Sequence, residues 1–171
     1  GGVAGAEAGT LTAIVGGDPA DVETCAPVFG ALCKKVAHVG PLGAGLTAGG
    51  GPAAVTELAE FDGDLIAGGP FTESGQTPLN GIARWDGNVW SALGSGWNNS
   101  VSAIAVHAGD LIASGARSGM DGPAGPYVMM WDGVSWHALG PAFSVAPSTL
   151  VSFAGELIAA GSFLTVGGAD L

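Results

Sequence analysis

The side chains that could do chemistry in this chain of 171 residues are few, and their spacing does not bring them together. Its three histidines, His38, His107 and His137, include no pair at the spacing of zinc ligands. Cys25 and Cys33 are eight residues apart on a predicted helix, about 12 Å along its axis, which exceeds the reach of a disulfide. We therefore predict no metal site, and two unpaired cysteines that pack as small buried hydrophobes.

The carboxylates indicate turns. Asp62, Asp64, Asp86 and Asp132 each lie next to a glycine, and Asp with Gly is typical of tight turns. A calcium site needs a cluster of oxygen ligands, and Asp62-x-Asp64 alone falls short of one. No serine lies in a nucleophile elbow of the Gly-x-Ser-x-Gly type. These side chains predict no catalytic residue.

The charge balance is strongly acidic, with 15 Asp and Glu against 4 Lys and Arg and a formal net charge of -11. Nucleic acids and anionic membrane surfaces are bound through basic faces, so we expect neither as a partner. The apolar runs are far shorter than the roughly 20 residues of a membrane helix. Because the chain opens on Gly1 rather than on Met, we expect residues before it and predict no cellular location.

A repeat with a period of 46 residues organises the C-terminal two-thirds of the chain. Internal periodicity of this length is typical of stacked or radial repeat architectures. Three segments recur without a gap: GDLIA at 63–67 returns at 109–113 and, as GELIA, at 155–159; WDG at 85–87 returns at 131–133; WSALG at 90–94 returns as WHALG at 136–140. The alignment predicts that each period folds in the same way.

One period reads as four short strands. Tight turns are predicted at Asp62-Gly63 and Asp86-Gly87, and a loop over Thr72 to Asn80. The predicted strands are Val55 to Phe61, Asp64 to Phe71, Ile82 to Trp85 and Val89 to Leu93. Four antiparallel strands in 46 residues fit one blade of a β-propeller. We therefore expect a mainly β fold in which residues 46–171 form a partial β-propeller of about two and a half four-stranded blades.

This region resembles the kelch-like β-propeller repeats of large bacterial proteins, through the segments IARWDG at 82–87, WSALG at 90–94 and DLIAGG at 64–69. The resemblance implies an architecture and no particular activity, because propellers host unrelated functions. The recurring Trp85 and Trp131, and Trp90 and Trp136, are expected to pack between blades. A stacking platform for a sugar remains the alternative for these rings.

Residues 1–45 lack the repeat and read as strand, helix and strand. A β-prone run over Thr10 to Val15 comes first. Asp18-Pro19 then starts a helix that is predicted to carry Lys34-Lys35 in its last turn, and a short strand over Val36 to Val39 follows. The apolar face of that helix is Val22, Cys25, Phe29 and Leu32. This order is typical of a parallel α/β sheet.

The same residues resemble the NAD-dependent β-hydroxyacid dehydrogenases, the family of 3-hydroxyisobutyrate dehydrogenase and tartronate semialdehyde reductase. The matching stretches are GGVAGAEAGTL at 1–11, VGGD at 15–18 and HVGPLGAG at 38–45. The resemblance implies that Gly1 and Gly2 bind substrate, with the preceding serine of that motif before the chain begins. It also implies NAD(P) as the cofactor of the complete enzyme, with the dinucleotide fingerprint upstream.

The residues that would complete the enzyme are missing. In the family pattern the catalytic lysine falls at Gly49 and the following asparagine at Ala53, and the helix that carries both is replaced by a Gly-Gly-Gly-Pro run at 49–52. We therefore expect no catalytic or cofactor-binding residue and no cofactor for this chain alone. Whether the chain is part of an enzyme is left open.

The two patterns meet at one short segment. Leu42-Gly43-Ala44-Gly45-Leu46 fits the dehydrogenase motif and also the repeat motif Leu93-Gly94-Ser95-Gly96-Trp97. The hypothesis is a recombined chain joined at this shared sequence. The expected function is binding or scaffolding by the repeats; the alternatives are a fragment of an oxidoreductase for 3-hydroxy acids and a carbohydrate-binding propeller. Open sheet edges predict missing blades or self-association as partners.

Overall fold

The computed structural model describes residues 11–38, 40, 45–48, 51–97, 100–117 and 125–170. The fold is mainly β, with several antiparallel sheets and one parallel pair of strands. Within these described ranges no helix is long and apolar enough to span a membrane.

The N-terminal segment has the predicted order of strand, helix and strand. Its elements are β1 (Leu11–Val15), α1 (Pro19–Thr24), α2 (Ala26–Leu32) and β2 (Cys33–His38). β1 and β2 pair in parallel, with Val15 opposite His38. Asp18 caps α1, because its Oδ1 accepts a hydrogen bond from the amide of Ala20 at 2.9 Å. The expected parallel strand-helix-strand unit is confirmed.

The helix differs from the prediction in two ways. It breaks at Cys25, which follows from Pro27: proline has no amide hydrogen to continue the ladder, so a new helix starts around it. Lys34 and Lys35 lie in β2 rather than in the last helical turn. Both cysteines are free, as predicted, but Cys25 is exposed and Cys33 only partly buried, so their assignment as buried hydrophobes was wrong.

The repeat region forms a series of antiparallel sheets at the predicted period. The first sheet consists of β5 (Glu57–Phe61), β6 (Asp64–Gly68), β9 (Ile82–Trp85) and β10 (Trp90–Ala92). The second sheet consists of β11 (Val101–His107), β12 (Asp110–Arg117), β13 (Gly125–Trp131) and β14 (Trp136–Ala138). The third consists of β15 (Thr149–Phe153) and β16 (Glu156–Ala160). Each is a meander in chain order, and the described sheets do not form a closed propeller.

The segment predicted as a loop over Thr72 to Asn80 contains a hairpin of β7 (Glu73–Ser74) and β8 (Thr77–Pro78). It forms a separate sheet with β3 (Leu46–Ala48) and β4 (Gly51–Pro52). A matching hairpin of β17 (Thr165–Val166) and β18 (Ala169–Asp170) lies two periods later. The loop prediction was wrong here because these polar two-residue strands carry no apolar alternation.

The turn between the first two strands of each sheet has the same backbone three times. Both central residues have positive φ, 52° and 82° at Asp62-Gly63, 53° and 93° at Ala108-Gly109, and 51° and 84° at Ala154-Gly155. Such turns match the twist of the strands that they join. The predicted Asp-Gly hairpin turn is therefore confirmed.

The sheets stack on one another through two distinct faces. We call the side that carries Ile66, Ile112 and Ile158, which are 46 residues apart, the following face, and the side that carries Leu65, Leu111 and Leu157 the preceding face. Ile66 of the first sheet clusters with Leu111 of the second, and Ile112 of the second with Leu157 of the third. The first and second sheets therefore contact each other in the same way as the second and third sheets.

Close approach between the first two sheets depends on Gly68. A β-carbon at this position would lie 2.8 Å from Cγ1 of Val101 in the second sheet. The same repeat position in the second sheet is Ser114, whose buried hydroxyl donates a hydrogen bond to the carbonyl of Pro147 at 2.7 Å. A small residue at this position lets the next strand pass.

Candidate functional site

The recurring tryptophans form two identical pairs. Trp85 faces Trp90 across neighbouring strands and Trp131 faces Trp136. In both pairs the ring centroids are 5.4 Å apart and the planes are inclined by 47°. All four rings are buried. The expected packing role agrees with this geometry, whereas a platform for stacking a sugar needs an exposed ring face.

One indole joins two sheets. Nε1 of Trp136 donates a hydrogen bond to the carbonyl of Leu93 at 3.1 Å, and Trp97 packs edge-on against the same ring with centroids 5.7 Å apart. The corresponding Nε1 of Trp90 is buried and has no hydrogen-bond partner among the residues that the structure describes. The Trp90 and Trp136 rings therefore share the same cross-strand geometry but differ in their hydrogen bond and in the edge-on contact with Trp97.

An open cleft of about 530 Å³ lies between the first and second sheets. Three carboxylates, Asp62, Asp110 and Asp132, line it together with Arg84 and Ser91. Arg84 also forms an ion pair with Asp64. This grouping is not visible in the sequence, because the three carboxylates come from different repeat positions on two sheets. The cleft is acidic, and its chemistry would suit a cationic or hydroxyl-rich ligand.

The carboxylates of the Asp-Gly turns serve as local acceptors. Oδ1 of Asp132 accepts hydrogen bonds from the amides of Ser135 at 2.7 Å and Val134 at 2.8 Å, and its Oδ2 lies 2.6 Å from Nε2 of His137. These contacts, led by the Ser135 amide, hold the pKa of Asp132 well below its usual value. Asp86 accepts the same two kinds of amide bond, and its pKa is also lowered. The predicted turn-forming role is confirmed for these two residues.

Ser135, His137 and Asp132 lie together but do not form a catalytic relay. The Ser135 hydroxyl is 3.0 Å from Nε2 of His137, and the Asp132 carboxylate contacts that same nitrogen. A relay needs the acid and the nucleophile on opposite ring nitrogens, so that the imidazole passes a proton between them. The arrangement is a polar cluster on an exposed turn.

The other two histidines make structural contacts. Nδ1 of His107 lies 2.9 Å from the hydroxyl of Ser152 and so links the second and third sheets. Nε2 of His38 lies 2.8 Å from the carbonyl of Gly17 within the parallel pair. Among the residues that the structure describes, no three His, Cys, Asp or Glu side chains are grouped to hold a metal ion.

The start of α1 does not suit the pyrophosphate of a dinucleotide. Gly16-Gly17 does follow a strand and precede a helix, as in a phosphate-binding turn. However, the six-residue α1 is capped by the carboxylate of Asp18, and Asp21 adds a second negative charge in its first turn. A pyrophosphate at this position would meet two carboxylates and no cation of α1.

The positions implied by the dehydrogenase resemblance are only partly described. Gly1, Gly2 and Gly49 fall outside the described residues. Ala53, at the position of the family asparagine, is partly buried against the first sheet. Its methyl group has no hydrogen-bonding atom that could replace the amide.

Comparison with known proteins supports the resemblance of the N-terminal segment to dehydrogenases. The family model of the NAD binding domain of 6-phosphogluconate dehydrogenase matches residues 1–40. An NAD-dependent L-serine dehydrogenase of Pseudomonas aeruginosa is 52% identical over 48 residues, which are 28% of this chain and 16% of that protein. No solved structure gives a significant match. The predicted dehydrogenase resemblance of the N-terminal segment is confirmed, and the chain spans about a sixth of the relative's length.

Proposed function

We propose that residues 46–171 are successive blades of a kelch-like β-propeller repeat that serves binding or scaffolding. The observation that carries this proposal is the repeated interface: the following face of one sheet packs on the preceding face of the next, twice, through residues 46 apart. A rotation repeated from sheet to sheet in this way is the basis of propeller architecture.

Residues 1–45 form a catalytically incomplete piece of an NAD-dependent hydroxyacid dehydrogenase in this proposal. The support is the similarity of residues 1–40 to an NAD-binding domain, combined with Gly49 and Ala53 at the positions of the family's lysine and asparagine. The acidic start of α1 offers no cradle for the cofactor. The chain alone is therefore inactive as a dehydrogenase.

The second candidate is a fragment of an NAD(P)-dependent oxidoreductase that acts on 3-hydroxy acids. The 52% identity to a serine dehydrogenase over 48 residues is the observation that favours it. In this case the dinucleotide fingerprint and the catalytic lysine would come from residues outside the chain. The buried tryptophan rings give no comparable support to a carbohydrate-binding function.

Titration of the full chain with NADH and NADPH, followed by nicotinamide fluorescence, tests whether the chain alone binds a nicotinamide cofactor. We expect no saturable change with either nucleotide. Saturable binding in the micromolar range would overturn the scaffolding proposal in favour of the oxidoreductase. The L-serine dehydrogenase of Pseudomonas aeruginosa, assayed under the same conditions, serves as the positive control.

A recombined origin is part of the same proposal. Leu46 packs against the first sheet, and Trp97 and Phe143 occupy the corresponding positions before the second and third sheets. Leu46 and Trp97 are 51 residues apart, whereas the repeat period is 46. The two L-G-x-G segments, which begin at Leu42 and Leu93, have this same separation of 51 residues. One long DNA read across codons 30 to 60 tests the join, and an uninterrupted natural gene there would contradict it.

A further inference from the structure

The first sheet is covered on its preceding face by a different kind of partner from the other two sheets. Leu111 and Leu157 pack against the repeat sheet before them. Leu65, at the same repeat position, packs in a cluster with Ile14 of β1 and Ala37 of β2. The parallel pair thus stands where a preceding repeat sheet would stand.

The outer surface of this N-terminal unit is mixed. Its helices α1 and α2 contain no buried residue, and Val28 and Leu32 of α2 are exposed. Charged side chains are exposed beside them, namely Asp18, Asp21, Lys34 and Lys35. Terminal units of repeat arrays cover the end of the series, because an uncovered end would leave an apolar face in water.

The cover is nevertheless incomplete. Leu58 is 58% exposed, whereas Ile104 and Leu150 at the same repeat position are each 7% exposed. Within the described ranges, Nε1 of the buried Trp90 has no acceptor, whereas Nε1 of Trp136 has the Leu93 carbonyl. A groove of about 360 Å³ remains beside these two side chains. The first sheet therefore keeps part of a surface built to receive a repeat sheet.

The opposite end of the series exposes the matching surface. On the following face of the third sheet Phe153 is 70% and Ile158 40% exposed, whereas Ile112 at the position of Ile158 is 1% exposed in the second sheet. The two interfaces inside the chain show what covers such a face, namely the preceding face of another repeat sheet. The two ends of one chain are complementary.

We propose that the strand-helix-strand unit is a cap, which blocks the preceding face of the first sheet against the third sheet of a second copy. This inference rests on the proposed function, because it assumes that the repeat sheets stack. A contact between unlike ends is head-to-tail, so uncapped chains add to one another until a ring closes or a filament grows. The cap is an autoinhibitory contact against this assembly.

The full chain with Ile14→Asp tests the cap, because the substitution places a charge in its contact with the first sheet. Val28→Asp is the matched control, since Val28 lies on the exposed surface of α2. In sedimentation velocity, Ile14→Asp should associate at concentrations about tenfold lower than the unmodified chain or Val28→Asp. Adding Phe153→Asp to Ile14→Asp should reverse this association; association that persists in the double variant would overturn the proposal.

Acrylamide quenching of tryptophan fluorescence gives a second measurement. Trp85 lies in the cluster under the cap, so Ile14→Asp should raise the quenchable fraction and Val28→Asp should not. Unchanged quenching together with unchanged association in Ile14→Asp would also overturn the cap. Rapid hydrogen exchange of β11 amides in the unmodified chain would instead contradict the stacked sheets of the proposed function, which distinguishes the two failures.

Discussion

Trp136 and Leu93 connect the first two repeat sheets by one hydrogen bond from the indole Nε1 to the main-chain carbonyl, 3.1 Å long. Trp90 occupies the same repeat position one period earlier, and its Nε1 has no hydrogen-bond partner in the described part of the chain. One chain thus contains a bonded and an unbonded version of the same side chain.

This pair allows two environments of the same repeat position to be compared. Trp136→Phe and Trp90→Phe each remove the indole nitrogen from a buried ring with the same cross-strand neighbour geometry. We expect Trp136→Phe to lower the free energy of unfolding by about 1 kcal/mol more than Trp90→Phe, because only Trp136→Phe breaks a hydrogen bond; the Leu93 carbonyl keeps its bond from the Gly96 amide. Urea unfolding measures both; equal losses would contradict the role given to Leu93.

The position of Ile66, Ile112 and Ile158 tests the stacking of sheets. Ile112 is buried between the second and third sheets, whereas Ile158 lies on the uncovered face of the third. Ile112→Ala should therefore cost about 2–5 kcal/mol of unfolding free energy, as expected for a core cavity. Ile158→Ala is the control and should cost less than about 1 kcal/mol. Similar losses at both positions would argue against a repeated interface.

The three hairpin turns predict a stabilising substitution. Ala108 and Ala154 hold φ values of 53° and 51°, a left-handed conformation that costs an alanine roughly 1 kcal/mol and that asparagine adopts readily. Ala108→Asn and Ala154→Asn should each raise the thermal midpoint. Asp62→Ala makes the reverse change at the same repeat position and should lower it. A fall in the midpoint with Ala108→Asn would contradict this reading.

The turn at Asp132 should make stability depend on acid pH. A carboxyl whose pKa is lowered on folding stabilises the fold above its ordinary value of 3.8, and this contribution is lost progressively as the pH falls below that value. Asp132→Asn keeps a side-chain acceptor but removes the charge. Its urea midpoint should lie below that of the unmodified chain at neutral pH, and the two should converge in acid. If the difference between the two urea midpoints stayed constant as the pH fell, the charge of Asp132 would be excluded as the cause of that difference.

Repetition made much of the fold predictable. The Asp-Gly turns and the strand over Ile82 to Trp85 follow directly from the sequence, because each recurs with its neighbours at a fixed offset. The parallel unit was predictable from the Asp18-Pro19 helix start between two β-prone runs. In these places local propensity and the repeat indicate the same structure.

The remaining features depend on contacts that no local pattern records. The β7–β8 hairpin is polar and gains its pairing from β3. The acidic cleft gathers Asp62, Asp110 and Asp132 from two sheets. The burial of Ile14 against Leu65 depends on how two unrelated sequences meet, so no period could reveal it. Tertiary packing decides all three.

The alternation of Leu and Ile faces also restricts how such a gene can change length. When one whole 46-residue unit is gained or lost, each strand keeps its leucine on the preceding face and its isoleucine on the following face, as at Leu65 and Ile66 or Leu111 and Ile112. Every contact between neighbouring sheets is then preserved. A single-residue shift within a strand exchanges the two faces, and the isoleucine surface then meets another isoleucine surface. Insertion or loss of a whole unit therefore preserves the stacking of sheets, whereas a shift of register inside a unit disrupts it.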